Sequence, residues 1–541
     1  MTLSKILQAN KINNSITRFN ALKSTFIFLP NVKWKTEEKW WRRGITSWKS
    51  LQSNLFLLLG LDRSKRERLI AIIRNAEAAS ENFNSKFFQS MLPPSEYWRL
   101  YKQFRSNTVF LDIESTGLSV YYDKITAVGA YANGEMKFFL RGVNLNELPE
   151  FLRKFSIIVT FNGKLFDIPF IKKEFPEIKV PPIHIDLRFA LRSIGVKGKL
   201  KDVEKRLRLE RPEEIKDISG RSSILLWNDF LDGNDRTLGD YLLYNSYDCI
   251  NLQKLMDFLY NQKVLEIFAK MKRNGEQLGM LGSPIEDLQI DKRERVSYLD
   301  PMIKLHYTQG RRLRVSLNGA RMLEFDRHLF KRKTFNLNSI LDRIKKNGYL
   351  ISAVGIDLTG STKKASGFCT LNGIQAYLET LRTDEEMIER IKEVRPEFVS
   401  IDSPLGLPKQ GIMRECERIL KKRGVNVYPA LINSMQKLTG RGIKLKTELE
   451  SLGFKVIESY PGAAQDILGI PRKRVSLVQL EQGLRSMGIT VASKELIANH
   501  DELDAFTSAL VGYLYMAGNY EQIGNSDEGY LIIPSIDLDP M

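Results

Sequence analysis

The sequence predicts a mixed α/β chain that folds as two domains. Three observations carry this prediction. The chain has 541 residues, which is enough for several units of roughly 100 to 200 residues, each with its own core. Short apolar runs typical of buried strands end on acidic residues in both halves of the chain. Helical-looking stretches that carry further carboxylates follow these runs in both halves.

The first acidic strand lies in the motif "FLDIESTG". The apolar run from Val109 to Ile113 predicts a buried strand. Side chains alternate between the two faces of a strand, so the two-residue spacing places Asp112 and Glu114 on one face. This pair of acids is a candidate cation site.

The second motif, "FNGKLFDIPF", follows the apolar run from Ile157 to Thr160. Asn162 therefore lies at the end of a predicted strand, and Asp167 lies at a predicted helix start. From that position the Asp167 carboxylate is expected to join the first pair.

The third motif, "YNSYD", lies in the helical-looking stretch from Leu238 to Leu259. It places Tyr244 four residues before Asp248, so both side chains project from one helical face. The three motifs together predict a cluster of four carboxylates and one phenol.

A buried group of four carboxylates is unfavourable unless divalent cations neutralise it. Two Mg²⁺ or Mn²⁺ ions about 3.5–4 Å apart would do so, and they would hold the attacking and leaving oxygens of a phosphodiester in line. The phenol would then orient the attacking water.

At these residues the chain resembles the DEDD exonucleases of the RNase H-like superfamily, in the subtype with tyrosine in its third motif. "NGKLFD" with "YNSYD" is similar to the proofreading domains of family B DNA polymerases. The chain resembles the YprB-type ribonuclease H-like family more closely, from about Phe26 through "LPPSEYWRLYKQF" to about Gln262, including "HIDLRFALR" and "ISGRSSILLW".

This resemblance implies an RNase H-like domain, with a mixed β-sheet flanked by helices, that trims nucleic acid from a 3′ end. It assigns metal binding to four acids, Asp112, Glu114, Asp167 and Asp248. It assigns the positioning of water to Tyr244. We also expect Asn162 to contact nucleic acid.

A second set of acids follows the same logic in the C-terminal third. The segments "ISAVGIDL", "FVSIDSPLGLP" and "VIESYPGAA" predict three buried strands that carry Asp357, Asp402 and Glu458. The segment "HDELDAFTSALVGYLY" predicts a helix with Asp501 and Asp504 on one face.

From about Leu350 to Pro534 the chain resembles the domain of unknown function 429 family, a predicted nuclease group with an RNase H-like fold. The motifs are "GIDLTGS", "IDSPLGLP", "LTGRGIKL", "VIESYPGAA", "HDELDA" and "DEGYLIIP". The helix "HDELDA" is also similar to the last acidic helix of RuvC-type Holliday-junction resolvases. The second candidate metal set is therefore Asp357, Asp402, Glu458 and Asp504, with Asp501 as a further candidate.

Two alternatives stay open in this region. "GIDLTGS" also fits the first phosphate loop of a sugar-kinase or actin-like ATPase, although no second glycine-rich phosphate loop follows. His500 either positions a phosphate or caps the helix.

Basic residues are concentrated outside the two acidic segments. The chain has a formal net charge of +18. Residues 1–105 contain 19 Lys and Arg against 7 Asp and Glu, and residues 261–350 contain 19 against 10. Such flanks favour a polyanionic partner, DNA or RNA, held by its phosphates. The candidate nucleic-acid contacts in the flanks are Arg42, Arg43, Arg311, Arg312 and Arg314.

Both flanks also carry a structural signal. We expect at least two of the four N-terminal tryptophans to pack in a small helical core, and any others to be free to stack bases: Trp34, Trp40, Trp41 and Trp48. In the YprB-type family "FLPNVKWKTEEKWWRRGI" resembles a helix-hairpin-helix, but Asn31 and Lys33 stand where its phosphate-binding glycines are expected. The alternation from Arg312 to Leu317 predicts a strand with a basic face.

Other chemistries lack support in the sequence. Cys249, Cys369 and Cys416 have no CxxC spacing, which excludes a disulfide framework or zinc site of that type. The four histidines form no metal-binding motif. The longest apolar run, "NLFLLLGL", is too short to span a bilayer. We therefore expect a cytoplasmic protein without a membrane partner. The sequence does not identify a protein partner.

The predicted organisation has four parts. Residues 1–105 form a basic, mostly helical region, and residues 106–262 form an exonuclease-type RNase H-like domain. Residues 263–349 form a basic connector, and residues 350–541 form a second RNase H-like domain. The predicted function is metal-dependent hydrolysis of nucleic acid. The alternatives are a non-catalytic nucleic-acid-binding protein built from nuclease folds, and nucleotide hydrolysis by the C-terminal domain.

Overall fold

The computed structural model of the protein describes residues 19–54, 62–216, 218, 220–271, 303–307, 312–317, 323–326, 337–470, 472–473, 477–493 and 498–535. Side chains are described in these ranges except at 220–221, 303–307, 312–317, 323–326 and 493. The chain divides into two compact units, which we call unit 1 (Met1–Ser115 with Ile125–Phe330) and unit 2 (Thr116–Lys124 with Lys331–Met541). The finer boundaries that we predict at 105, 262 and 349 fall inside these units and stay predictions.

Unit 1 begins with a helical region. Its helices are α1 (Trp34–Arg42), α2 (Trp48–Ser53), α3 (Arg63–Glu81) and α4 (Ser85–Met91). The indole N–H groups of Trp41 and Trp48 donate to the backbone oxygens of Ser24 and Thr25, each at 2.8 Å. Trp41 and Trp48 are buried, which confirms that two of the four tryptophans pack in the core, whereas Trp34 is exposed.

A five-stranded mixed sheet forms the centre of unit 1. Its strands are β1 (Thr108–Ser115), β2 (Ile125–Ala132), β3 (Glu135–Leu140), β4 (Ile157–Thr160) and β5 (Ile183–Asp186). The spatial order is β3-β2-β1-β4-β5. The first three strands form an antiparallel meander, and β4 and β5 run parallel to β1.

Helices flank this sheet. They are α5 (Leu148–Leu152), α6 (Asp167–Glu174), α7 (Leu187–Arg192), α8 (Leu200–Arg206), α9 (Glu213–Lys216), α10 (Gly220–Asp232) and α11 (Arg236–Met271). Helix α11 packs against β1 and β2. It continues beyond the predicted end at Leu259, because apolar residues such as Val264 and Ile267 remain buried in its last turns.

A three-stranded antiparallel sheet follows in the basic connector. Its strands are β6 (Ile303–Tyr307), β7 (Arg312–Leu317) and β8 (Leu323–Asp326), in the order β6-β7-β8. The predicted strand from Arg312 is therefore confirmed as the central strand. Arg311 lies outside the described residues.

Unit 2 contains a second mixed sheet. Its strands are β9 (Ser352–Asp357), β10 (Ser366–Asn372), β11 (Gln375–Leu381), β12 (Phe398–Asp402), β13 (Val456–Ser459), β14 (Thr490–Ser493), β15 (Tyr520–Asn525) and β16 (Gly529–Pro534). Its helices are α12 (Leu337–Lys346), α13 (Asp384–Val394), α14 (Glu415–Lys422), α15 (Gln436–Ser451), α16 (Pro461–Leu468), α17 (Leu477–Arg485) and α18 (His500–Met516).

The centre of this sheet repeats the topology of unit 1. The full order is β14-β11-β10-β9-β12-β13-β16-β15. Strands β9 to β11 form an antiparallel meander, and β12 and β13 run parallel to β9. Both units therefore contain five strands in the order 3-2-1-4-5 with the same directions. The predicted α/β architecture of two mixed sheets flanked by helices is confirmed.

Two glycines of the sheet in unit 2, Gly355 and Gly367, lie against the backbone of α18. Gly367 on β10 is paired with Asp357 on β9. A Cβ atom added at Gly367 would lie 2.0 Å from the backbone oxygen of Asp501 in α18. A larger residue would therefore push backbone against backbone, which no side-chain rotation can relieve.

We predict that Gly367→Ala lowers the free energy of unfolding of unit 2 by about 1–3 kcal/mol, because the added methyl group overpacks the sheet against α18. Hydrogen exchange of the α18 amides measures this effect. Gly440→Ala is the matched control, since Gly440 lies in α15 with open space around its Cβ position. It should stabilise its helix by about 0.5–1 kcal/mol. Equal protection in the two variants would contradict the close approach.

Within the described part of the chain, no helix combines the length and apolar character needed to cross a bilayer. The three cysteines are buried and have free thiols.

Candidate metal centres

Three of the predicted carboxylates meet in unit 1. Oxygen atoms of Asp112, Glu114 and Asp248 all lie within 4.8 Å of one another. Asp112 and Glu114 project from the same face of β1, and Asp248 reaches them from α11, which packs across that strand. The two-residue spacing and the helix position therefore produce the arrangement together.

Asp167 lies beside this group rather than in it. It is the first residue of α6, as predicted, and its Oδ1 accepts a hydrogen bond from the backbone N–H of Ile113 at 3.2 Å. Burial raises the pKa of Asp167 to about 7, and its charge contributes to raising the pKa values of Asp112 and Glu114. All four carboxylates thus belong to one electrostatic environment.

The electrostatics of the group favour a bound cation. Burial is the largest cause that raises the pKa values of Asp112, Glu114 and Asp248, and the neighbouring carboxylates raise those of Asp112 and Glu114 further. The ligands that these residues offer are all carboxylate oxygens, which suits a hard divalent ion such as Mg²⁺ or Mn²⁺. The residues present therefore fit the predicted metal.

Tyr244 lies one helical turn before Asp248 and is buried. Burial, and then the negative charges of Asp248, Glu114 and Asp112, hold the pKa of its hydroxyl far above the usual value. The phenol is therefore neutral and keeps its proton. The guanidinium of Arg211 lies over the Tyr244 ring, 5.3 Å from its centre.

Arg211 is an element of the site that the sequence did not reveal. Its guanidinium donates to Asp248 and, at 2.6 and 2.9 Å, to the buried carboxylate of Glu204. The Arg211 side chain is 5 % exposed. Asn251 donates to the same Glu204 carboxylate at 2.9 Å. A fixed positive charge is therefore built into the acidic group.

Two further side chains orient the carboxylates. Ser223 donates to Glu114 at 2.6 Å, and Asn245 donates to Asp112 at 2.9 Å. Both residues lie inside motifs that carry the resemblance, "ISGRSSILLW" and "YNSYD". Their presence in these motifs was the available signal, but neither spacing nor periodicity assigned them a role.

Asn162 occupies a constrained turn after β4. Its φ of +68° lies in the left-handed region, which asparagine tolerates better than most residues. The buried Asp186 carboxylate accepts from the backbone N–H groups of Asn162 and Lys164 at 2.8 and 3.0 Å. The Asn162 side chain accepts from Arg188 at 2.5 Å. Its contact with nucleic acid stays a prediction.

The basic flank residues are placed only in part. Arg42 and Arg43 are exposed at the end of α1, where Arg42 pairs with Glu38 at 2.5 Å. Arg312 and Arg314 lie on β7, of which only the backbone is described. Asn31 has a φ of +62°, so it adopts the left-handed conformation that favours glycine.

A second group of carboxylates meets in unit 2. Oxygen atoms of Asp357, Asp402 and Asp504 lie within 4.8 Å of one another. Asp357 and Asp402 are register partners at the carboxyl ends of the parallel strands β9 and β12, and Asp504 projects from α18. Burial raises the pKa values of Asp357 and Asp402, and so do the neighbouring carboxylates.

The structure does not bring Glu458 into this group. The register partner of Asp402 on β13 is Ser459, so Glu458, one residue earlier, projects from the opposite face. Its carboxylate accepts from the buried Arg414 guanidinium at 2.6 and 2.8 Å and from the Leu405 N–H at 2.7 Å. Glu458 is thus held in a buried ion pair.

The first turns of α18 place the remaining candidates, His500, Asp501 and Asp504, in different environments. Asn499 caps the helix by accepting from the N–H groups of Asp501 and Glu502, each at 3.0 Å, so His500 is not the cap. Asp501 pairs with the Nδ1 of His500 at 2.7 Å and lies outside the group of three. Asp504 pairs with Lys473 at 2.5 Å.

Comparison with known families agrees with this geometry. Residues 109–260 match the family model described as the RNase_H superfamily. This segment carries the whole first carboxylate group, and it has an RNase H-like fold. No curated protein matches the chain.

Three solved structures have parts similar to this chain. The Thermus thermophilus RuvC structure is 17 % identical and covers 33 % of this chain and 99 % of its own, with a TM-score of 0.20. Brucella melitensis NrnC bound to pGG is 16 % identical and covers 32 % and 79 %, with a TM-score of 0.23. A family B DNA polymerase from the hyperthermophilic archaeon Pyrobaculum calidifontis is 13 % identical and covers 79 % and 53 %, with a TM-score of 0.24.

We predict that Arg211→Gln lowers the free energy of unfolding of unit 1 by about 3 kcal/mol, because it leaves the buried carboxylates of Glu204 and Asp248 without their cation. Urea unfolding followed by tryptophan fluorescence measures this change, since all six tryptophans lie in unit 1. Arg153→Gln is the control, because its ion pair with Glu150 is exposed and contributes at most about 1 kcal/mol. Equal shifts in the two variants would show that Arg211 does not have this role.

Proposed function

We propose that unit 1 is a metal-dependent exonuclease that hydrolyses phosphodiester bonds of DNA or RNA from a 3′ end. The observation that carries the proposal is the convergence of Asp112, Glu114 and Asp248 inside a segment of RNase H-like fold. The order of the three motifs, with Tyr244 one turn before Asp248, supports the tyrosine-containing DEDD type. The YprB-type assignment of this region is part of the proposal.

Two Mg²⁺ or Mn²⁺ ions are the proposed cofactor. Asp112, Glu114 and Asp248 would hold them, with Asp167 beside the group. Bound ions would lower the pKa of water and stabilise charge on the phosphodiester oxygens. Ser223 and Asn245 fix the orientations of Glu114 and Asp112 through their hydrogen bonds.

The neutral phenol of Tyr244 supplies a hydroxyl that both donates and accepts a hydrogen bond. Its position beside Asp248 suits it to orient an attacking water. Arg211 keeps a positive charge next to the same carboxylate at all relevant pH values. We propose that this charge balances the buried acids.

Unit 2 supports a second nuclease-like centre. It repeats the strand order of unit 1, and it brings Asp357, Asp402 and Asp504 together at the carboxyl ends of its strands. This arrangement of three carboxylates favours the proposed domain of unknown function 429 type. Nucleotide hydrolysis, the alternative for this unit, would appear as ATP turnover without added nucleic acid.

One observation favours a non-catalytic nucleic-acid-binding protein instead. Each group of acids already contains a paired cation, Arg211 in unit 1 and Lys473 in unit 2. In such a protein these pairs would be permanent and Mn²⁺ would have no effect on either group. End-labelled single- and double-stranded DNA and RNA, incubated with Mn²⁺, Mg²⁺ or EDTA, separate the two functions.

We expect Asp112→Asn to reduce cleavage from 3′ ends by orders of magnitude, because it keeps the side-chain volume but removes a charge that holds metal. Asp357→Asn is the matched variant in unit 2 and should leave end cleavage intact. Gel analysis of labelled oligonucleotides measures both. Loss of end cleavage in Asp357→Asn with activity retained in Asp112→Asn would place the catalyst in unit 2.

Tyr244→Phe should slow end cleavage less than Asp112→Asn does, since the carboxylates remain and only the orientation of water is affected. Single-turnover rates at saturating Mn²⁺ measure the difference. A rate for Tyr244→Phe equal to or below that of Asp112→Asn would contradict the positioning role.

Replacement of Arg42 and Arg43 together by Gln should weaken binding of a single-stranded oligonucleotide. It should also reduce the slope of log affinity against log salt by about 0.7 for each lost phosphate contact. Fluorescence anisotropy over a salt series measures the slope. Lys392→Gln, a partly exposed cation on α13 of unit 2, is the control. An unchanged slope would exclude these arginines from the interface.

A further inference from the structure

Unit 2 contains a pocket next to its group of aspartates. The pocket has a volume of about 160 Å³ and opens beside Asp357 and Asp402. Its walls are mostly apolar, and they include Pro404, Met435 and Leu438. A cavity of about 150 Å³ accommodates one benzene ring. The space therefore matches a single planar ring rather than a whole nucleotide.

Tyr428 lines this pocket and is 61 % exposed. An aromatic side chain that leaves its ring in solvent at the edge of an apolar pocket forms a stacking surface for another ring. Such stacking is the usual means by which proteins hold unpaired bases.

Ser459 is one of the polar residues that line the pocket. It is 2 % exposed, and its Oγ has no hydrogen-bond partner among the described residues. A buried hydroxyl without a partner costs free energy, and a ligand atom in the pocket would supply the missing bond. Register pairing places Ser459 in one row with Asp402 and Asp357.

The charges on the pocket wall exclude a simple anion site. The cation among the lining residues is Arg414, which is 2 % exposed and is bound to Glu458 and Glu417. No unpaired cation of the described wall is available to a phosphate. The wall also carries four carboxylates, those of Asp357, Asp402, Glu417 and Glu458, which disfavour an anion further. The apolar slot, the exposed ring of Tyr428 and the unpaired hydroxyl of Ser459 suit a neutral aromatic ring with a polar edge.

We propose that this pocket of unit 2 binds one unstacked nucleobase of a nucleic-acid strand. The base stacks on Tyr428, packs against the apolar wall and makes a hydrogen bond with Ser459. The proposal rests on the proposed nucleic-acid substrate, but it requires no cleavage by either unit.

The test compares two probes in EDTA, a hexathymidylate and a base-free deoxyribose phosphate hexamer of the same charge. Calorimetry gives the affinity of each probe for the full chain. The ratio of the two affinities is the contribution of the bases to binding, and it is the difference that the variants are expected to change. Tyr428→Ala should reduce this difference by about tenfold, as expected for the loss of one base–aromatic stack. Ser459→Ala should reduce it by about threefold to tenfold.

Two controls separate this role from a structural one. Tyr377→Ala removes a tyrosine of similar exposure on β11, 46 % exposed, and should leave the difference unchanged. Ser459→Ala should also not lower the temperature of thermal unfolding, because its hydroxyl has no partner to lose.

Equal affinity for the two probes, or the same effect for Tyr428→Ala and Tyr377→Ala, would overturn the proposal. Because EDTA prevents metal-dependent hydrolysis, failure of the proposed exonuclease activity would not affect this result. The binding experiment therefore tests the base pocket, and the cleavage assay with Mn²⁺ or Mg²⁺ tests the nuclease activity, so that either proposal can fail without the other.

Discussion

The repulsion between buried carboxylates is the constraint on which both sites depend. Three acids that share a few ångströms in a low-dielectric interior cannot all be ionised unless positive charge lies beside them. Arg211 in unit 1 and Lys473 in unit 2 each pair with the aspartate contributed by the helix. The helix–strand packing that brings the acids together is therefore stabilised by one basic residue in each unit, and bound divalent ions would complete the neutralisation.

Much of the fold could be predicted because apolar runs and acid spacing are local signals. The strand from Ile157 to Thr160 and the helix start at Asp167 were found in this way. Register is not a local signal. Glu458 and Ser459 are neighbours at the end of one strand, and only the pairing of β13 with β12 decides which of them lies in the row of Asp402. A prediction of metal ligands from residue type alone selects Glu458, because it is the acid of the two, although Ser459 lies in that row.

The parts of the sites that the sequence did not reveal are contacts between distant positions. Arg211 lies 37 residues before Asp248, and Asp186 lies 24 residues after Asn162. Neither separation in sequence corresponds to the short spacings within one helix or strand, so no periodic pattern of the sequence links the two partners. These residues hold the predicted ones in place, and only the assembled tertiary structure identifies them.

A shared geometric rule connects the two units. In each unit the residue paired with the first aspartate on the neighbouring antiparallel strand is a glycine, Gly129 opposite Asp112 and Gly367 opposite Asp357. A Cβ atom at either glycine would lie 2.2 Å or less from an atom of the helix above, the Asn245 side chain in unit 1 and the Asp501 backbone in unit 2. In unit 2 the contact is with the helix backbone, so α18 packs this closely because a side chain is missing at that point. In unit 1 the missing side chain leaves room for the side chain of Asn245, which donates to Asp112. In both units the glycine opposite the first aspartate therefore provides space that the helix side of the carboxylate group occupies.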